Sequence, residues 1–188
     1  MSNRTKQALA VSLKKLLQEK QLDKITIGEL AADCGISRMT FYYHFRDIYD
    51  LVEWMCVEDL RAALQEKKTY VSWQEGLFRI FEASYENRTY ISNLNRSMRR
   101  EQIEGFWTEQ SYELIMNVVR EQAAGMDVAA EKLEFIANFY KHAFVGALLD
   151  WFDQGMKADY PQIVEDISVV MQGNIANALQ NFIKRSDL

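Results

Sequence analysis

Residues 26–45, TIGELAADCGISRMTFYYHF, predict two short helices joined by a tight turn. Thr26 starts a capping box, a pattern that typically opens a helix, and Gly35 indicates where that helix ends. Ser37 is a favourable N-cap for the next helix, which the pattern extends over residues 38–45. Two helices with a linker of about three residues are typical of a helix-turn-helix.

The two faces of the second helix differ in a way that favours a DNA partner. Ala31 on the preceding helix is small enough for close crossing, and Ile36 with Phe41 would seal the pair onto a third helix. The opposite face is left free and is rich in aromatic and hydrogen-bonding groups suited to bases and phosphates. It carries Arg38, Met39, Thr40, Tyr42, Tyr43 and His44.

The whole chain is predicted to be all-α, with about nine helices. A single proline and eight glycines interrupt 188 residues, and the two-residue alternation of strands is nowhere sustained. A first helix is predicted over about Asn3–Lys20 because its leucines form one apolar stripe, and it completes a three-helix head. The later helices are predicted at about Asp47–Lys67, Trp73–Asn87, Thr89–Asn95, Glu101–Ala123, Ala129–Gln154 and Pro161–Lys184.

The charge of the chain is unevenly distributed. The formal net charge is −5, which by itself argues against a DNA partner because phosphates attract cations. Residues 1–50 nevertheless contain eight Lys or Arg against six Asp or Glu, so the acidic excess lies on the remainder. The sequence therefore predicts a slightly basic head and an acidic body.

Composition also limits the compartment and the chemistry. The sequence has no run of eighteen apolar residues and no apolar amino-terminal segment, so we expect neither a membrane span nor a signal peptide, and a cytoplasmic location. Cys34 and Cys56 lie in helical patterns and are expected to be small core residues rather than a disulfide. Two histidines without paired cysteines offer little to a metal, and we expect no cofactor.

The last two predicted helices have more apolar surface than one neighbour can cover. The helix over Ala129–Gln154 is apolar on two sides, with Phe135 and Phe139 on the second side. The final helix repeats apolar residues at spacings of three and four. Pairing of these helices between two protomers would bury both surfaces, and the alternative is a helix buried inside one chain.

With these residues in view, the amino-terminal segment resembles the tetracycline-repressor (TetR) family of bacterial regulators. The matching residues lie within about residues 4–55 and are Ile25, Thr26, Ile27, Leu30, Ala31, Cys34, Gly35, Ile36, Ser37, Thr40, Phe41, Tyr42, Tyr43, His44, Phe45 and Leu51. The carboxy-terminal half is similar to Firmicutes members of the family in Phe144, Val145, Gly146, Leu149, Asp150, Trp151, Phe152 and Gly155. The resemblance implies a DNA-binding head, residues 1–50, and a helical effector-binding and dimerisation body, residues 51–188.

The resemblance also implies how the head meets DNA. The residues that would lead the recognition helix into the major groove are Ser37, Arg38, Met39 and Thr40. Those that would contact phosphates or flanking bases are Tyr42, Tyr43, His44 and, on the preceding helix, Thr26. Arg38 would be the best base reader, because its planar fork can hold guanine O6 and N7 together.

One position departs from the family pattern. The family usually has a lysine three residues after the position of Phe45, where this chain has Ile48. Either Arg46 replaces that phosphate contact, or binding is weaker and depends on other cations. The other candidate cations are Arg4, Lys6 and Lys24.

The body contains many aromatic residues on helices that must pack together, and most are expected to be core. The resemblance raises the expectation of an effector pocket among them. The candidate effector contacts are Phe81, Tyr85, Phe106, Asn138 and His142. A cationic cluster at Arg96, Arg99 and Arg100 would bind an anion or a partner, or simply pair with neighbouring glutamates.

Three functions remain open from the sequence. The first is a homodimeric regulator, expected to be a repressor on a palindromic operator, that is released by a small-molecule effector. The second is a co-regulator of the same fold controlled by a partner protein. The third, an enzyme, has little support, since the sequence lacks a nucleophile elbow, a glycine-rich phosphate loop and metal-ligand spacing. We therefore predict a non-enzymatic, ligand-responsive transcription regulator that binds DNA.

Overall fold

The computed structural model describes residues 2–64 and 73–186, which contain helices and no strands, so the all-α prediction is confirmed. The helices are α1 (Ser2–Glu19), α2 (Ile27–Asp33), α3 (Arg38–His44), α4 (Ile48–Leu64), α5 (Trp73–Glu86), α6 (Arg88–Asn95), α7 (Arg100–Gln122), α8 (Ala130–Asp153), α9 (Tyr160–Met171) and α10 (Asn174–Ser186), with a 3-10 turn at Leu22–Lys24. Within the described ranges, no helix combines the length and the apolar character needed to cross a membrane.

The observed helices differ from the predicted ones mainly at the carboxy terminus. The final predicted helix is divided into α9 and α10 near Gly173, which adopts a positive φ of 72°. Pro161 lies in the first turn of α9, as predicted. The last three residues of the predicted fourth helix, 65–67, lie outside the described residues.

The first of two compact units comprises the described residues within Met1–Ala62 and Glu86–Ile103. Its core combines apolar side chains of α1, α2, α3, α4 and α6, and α1 packs against both α2 and α6. The most deeply buried members include Leu9, Leu13, Leu30, Phe41 and Leu51. Cys34 and Cys56 pack, partly buried, against this core, as the sequence predicted.

The second unit comprises the described residues within Ala63–Tyr85 and Glu104–Leu188. Side chains of α7, α8, α9 and α10 form its main apolar cluster, around Val119, Ala137 and Leu179. A second contact joins α5 to α8, where the rings of Phe81 and Trp151 lie 4.9 Å apart. The functional division of the chain at residues 50 and 51 stays a prediction.

The turn between α8 and α9 is held by the end of α8 itself. Gly155 and Met156 both have positive φ, and their amides donate to the carbonyls of Phe152 and Trp151, each at 2.9 Å. The Trp151 indole N–H donates to the Ala158 carbonyl at 3.0 Å. The Met156 side chain in this turn is buried.

Candidate nucleic-acid interface

The amino ends of α2 and α3 are capped as the sequence predicted. Thr26 Oγ1 accepts a hydrogen bond from the Glu29 amide at 3.2 Å, and Ser37 Oγ accepts one from the Thr40 amide at 3.0 Å. Between the helices, Gly35 has a φ of 65°, a left-handed conformation that favours glycine. These local features produce the helix-turn-helix that residues 26–45 predicted.

The inner face of α3 is fixed to the core of the first unit. Phe41 is fully buried, and its ring lies 5.9 Å from that of Phe45, which is also buried. Ile36, in the turn before α3, packs partly buried against the same core. The helix is therefore held by its inner side chains, which leaves the outer ones free.

The outer face of α3 is exposed. Tyr43 exposes 83 % of its surface, Met39 81 % and Tyr42 57 %, which is unusual for large apolar side chains. Ser37 and Arg38 are also exposed, whereas Thr40 and His44 are half-buried. The structure thus places every predicted recognition residue on or next to α3 except Thr26, which is exposed at the start of α2. Their contacts with DNA stay predictions.

The position that departs from the family pattern is occupied by a packed side chain. Ile48 lies partly buried against the core of the first unit. Arg46 is 83 % exposed, with its Nε 3.5 Å from an Asp50 carboxylate oxygen. The Asp50 carboxylate also accepts a hydrogen bond from the Arg46 amide at 2.9 Å, and these contacts lower the pKa of Asp50. Arg46 therefore lies two residues before α4, largely exposed and paired with Asp50.

The other candidate cations differ in whether a neighbouring group already contacts their charged end. Lys6 Nζ lies 5.2 Å from the ring centre of Phe45 and 5.7 Å from that of Trp54, so its ammonium is already engaged. Lys24 pairs with Asp23 at 3.0 Å. Arg4 is exposed on α1.

The five predicted effector contacts are distributed over three helices of the second unit. Phe81 is fully buried on α5, and the Tyr85 ring lies 5.6 Å from that of Tyr160. Phe106 on α7 packs edge-on against Trp107. Asn138 donates to the carbonyl of Glu134 within α8, and His142 is exposed on the same helix.

Two cavities are described in the second unit, and neither is lined by any of those five residues. One is a partly open apolar space of about 90 Å³, lined by Leu64, Trp73, Gly76, Leu77, Ile80, Ser111, Leu114, Ile115, Val118, Phe144, Met171 and Ile175. The other is an open groove of about 290 Å³ between α8 and α10, lined by Phe135, Ile136, Phe139, Tyr140, Ala178, Asn181 and Phe182. An effector role for the five residues stays a prediction.

Two arrangements in the first unit are not predicted by the sequence. One is the contact between the Arg38 guanidinium and Gly28, which depends on a side-chain conformation that no local pattern encodes. The other is the polar group formed by Lys14, Asp59 and Tyr90, whose members come from three helices far apart in sequence. The sequence signal that could have indicated the second arrangement was Asp59, a charged residue on the partly buried side of α4.

Comparison with known proteins finds two family models and a related regulator that match this chain. Residues 12–55 match the family model for bacterial regulatory proteins of the tetR family, and residues 71–173 match a model for a transcriptional regulator C-terminal region. The HTH-type dhaKLM operon transcriptional activator DhaS of Lactococcus lactis subsp. lactis (strain IL1403) is 23 % identical over 164 residues, 85 % of this chain and 87 % of that protein. The solved structure of a dihydroxyacetone kinase operon activator DhaS has a TM-score of 0.71 at 19 % identity and covers 91 % of this chain and 96 % of its own, a likeness of fold.

Proposed function

Because the chain belongs to the TetR family of bacterial transcription regulators, we propose that it binds a palindromic operator as a homodimer and controls transcription there. Family membership makes it a non-enzymatic, DNA-binding regulator and implies dimerisation. The observation that carries the proposal is the outer face of α3, where Tyr43 and Met39 are more than four-fifths exposed while Phe41 is fully buried. We place the protein in the cytoplasm, where its operator is.

Two linked heads are needed because one head has little charge to offer. Residues 1–50 have a net charge of only +2, from eight basic and six acidic residues. Ile48 supplies no cation at the start of α4. Since neutralised phosphates supply much of the affinity for DNA, we propose that useful affinity comes from two heads binding together.

We propose that the dimer surface is formed by the exposed apolar side chains of α8 and α9 together with the groove between α8 and α10. Phe135 and Phe139 are 62 % and 63 % exposed, and Val169 and Val170 on α9 are 64 % and 68 % exposed. The phenylalanines line the open groove between α8 and α10. A second copy presenting the same face would cover this surface by two-fold symmetry.

The test is a gel-shift titration of the full chain with DNA from its own promoter at low salt. We expect a shifted complex whose formation is lost in Arg38→Ala/Tyr43→Ala. Val11→Ala is a matched control, because Val11 is 67 % exposed on α1 and has no proposed DNA contact. A shift that persists unchanged in the double variant would contradict the proposed interface.

We propose that the protein is regulated by a small-molecule effector, which binds within the second unit and changes the affinity for the operator. The partly open space of about 90 Å³ is lined by apolar side chains with one hydroxyl, that of Ser111. It is far below the roughly 300–1,000 Å³ of pockets for drug-sized ligands. The cavity would therefore suit only a small, mainly apolar ligand unless binding enlarges it.

That small volume is also the observation that favours the second candidate, control by a partner protein. The two candidates are separated by dividing a host extract into a fraction below about 1 kDa and a macromolecular fraction. Loss or gain of the operator shift with the small-molecule fraction supports the effector. A change that requires the macromolecular fraction, and disappears after protease treatment, supports the partner.

The sign of regulation is decided by a reporter assay. The sequence led us to expect repression, whereas the related Lactococcus protein is described as an activator. If the chain represses, deletion of its gene raises transcription from the bound promoter. If it activates, as that relative does, the same deletion lowers transcription.

A further inference from the structure

The Arg38 side chain folds back from α3 onto the first turn of α2. A Cβ atom placed on Gly28 would lie 2.5 Å from Arg38 Nη2, 3.0 Å from Nε and 3.1 Å from Cζ. These separations are shorter than carbon–nitrogen and carbon–carbon van der Waals contacts. Arg38 can therefore hold this position only if residue 28 has no side chain.

The backbone does not explain why residue 28 is glycine. Four other glycines, Gly35, Gly125, Gly155 and Gly173, have positive φ, and their turns account for them. Gly28 is not among them and lies inside α2, where glycine is a poor helix former. What the structure shows at Gly28 is that the Arg38 guanidinium occupies the space where a Cβ would lie.

No charge partner holds Arg38 in this conformation within the described residues. In residues 2–64 and 73–186, no ion pair or side-chain hydrogen bond holds the exposed Arg38 guanidinium. Glu29, the carboxylate beside Gly28, is instead engaged by Lys20. Filling the space at residue 28 would move the guanidinium without breaking a polar contact.

We propose that Gly28 is a specificity-determining position that acts through Arg38, by letting the guanidinium lie against α2. The inference rests on the proposed operator binding. A planar fork discriminates between bases only when both nitrogens reach the base edge, so a shift of about an ångström changes the contact. Gly28 is thus a positioning residue, and any residue with a Cβ there moves the fork and alters base preference at one pair of each half-site.

The experiment selects bound half-sites from randomised DNA with the wild-type chain, Gly28→Ala, Arg38→Ala and the double variant. We expect Gly28→Ala to change preference at one base pair per half-site by about tenfold, within the range of one bidentate contact. Arg38→Ala should abolish that preference, and the double variant should match Arg38→Ala within about twofold. Gly105→Ala is the matched control, since Gly105 is also helical and a Cβ there meets no atom within 4 Å.

The same experiment distinguishes failure of the Gly28 proposal from failure of the proposed operator binding. If the wild type enriches a sequence but Gly28→Ala enriches the same one with the same preference, the inference is wrong. It is equally wrong if Gly28→Ala has the same effect in the presence and absence of Arg38. If the wild type enriches no sequence, the proposed operator binding fails first. Thermal unfolding of each variant checks that all four chains are folded.

Discussion

The Tyr90 hydroxyl on α6 donates a 2.7 Å hydrogen bond to Asp59 Oδ2 on α4. The other carboxylate oxygen of Asp59 accepts from Lys14 Nζ on α1, so one side chain joins three helices of the first unit. The Lys14 ammonium also lies 5.8 Å from the centre of the Tyr90 ring. Burial and the nearby carboxylate raise the pKa of Tyr90, so its hydroxyl stays a donor at higher pH than that of an ordinary tyrosine.

Removing this hydroxyl should destabilise the protein. Tyr90→Phe leaves a partly buried carboxylate oxygen without its donor, so we expect the free energy of unfolding to fall by about 1–3 kcal/mol. Urea unfolding of the full chain measures the change. Tyr49→Phe is the control, because Tyr49 is 45 % exposed on α4. If the two substitutions lower the free energy of unfolding equally, the hydrogen bond to Asp59 makes no specific contribution to stability.

Acid should weaken the ion pair between Lys20, the residue after α1, and Glu29 on α2. The Lys20 ammonium, chiefly, and the Thr26 amide lower the pKa of Glu29 below its ordinary 4.5. A carboxyl group with a lowered pKa in the folded state stabilises above its unfolded pKa, and this contribution is lost as pH falls through the folded value.

Glu29→Gln should therefore flatten the pH dependence of the melting temperature between about pH 3 and 5. Thermal unfolding across that range measures it, and Glu53→Gln, at an exposed carboxylate of α4, is the control. A Glu29→Gln profile as steep as that of the wild type would rule out this contribution.

The tyrosine on the outer face of α3 should affect affinity without affecting specificity. If Tyr43 contacts a phosphate, Tyr43→Phe removes one hydrogen bond per head and weakens binding by about 0.5–1.5 kcal/mol per contact. The loss should be the same for an operator and for a base-substituted operator, as fluorescence anisotropy titrations would show. Because Tyr43 is 83 % exposed, the melting temperature should not change. A loss confined to one operator sequence would instead mean that Tyr43 reads a base.

Charges on the exposed face of α8 should separate the protomers. Phe135→Glu/Phe139→Glu places two carboxylates in the proposed interface, and we expect a monomer by sedimentation equilibrium. That monomer should lose operator binding although α3 is intact, because each head alone carries little charge. Asn117→Asp, an exposed position on α7, controls for added negative charge. A dimer that survives the double substitution would place the interface elsewhere.

The sequence predicted most accurately those features that depend on residues close together in the chain, such as helix caps. Thr26 and Ser37 cap their helices within three residues, so a short motif was enough to predict α2 and α3. The break at Gly173 was missed because the apolar spacing continues across it, and an isolated glycine is tolerated in a helical pattern. The pairing of Asp59 with Tyr90 joins residues 31 positions apart, which only tertiary packing brings together.

The most direct test of the central claim is selection of bound sequences from random duplex DNA by the full-length wild-type chain. We expect a palindrome whose half-site centres lie about one helical turn apart, roughly 10–10.5 base pairs, or a multiple of it. That spacing would show two recognition helices held by one dimer. A single unpaired half-site, or no enriched sequence, would contradict the account.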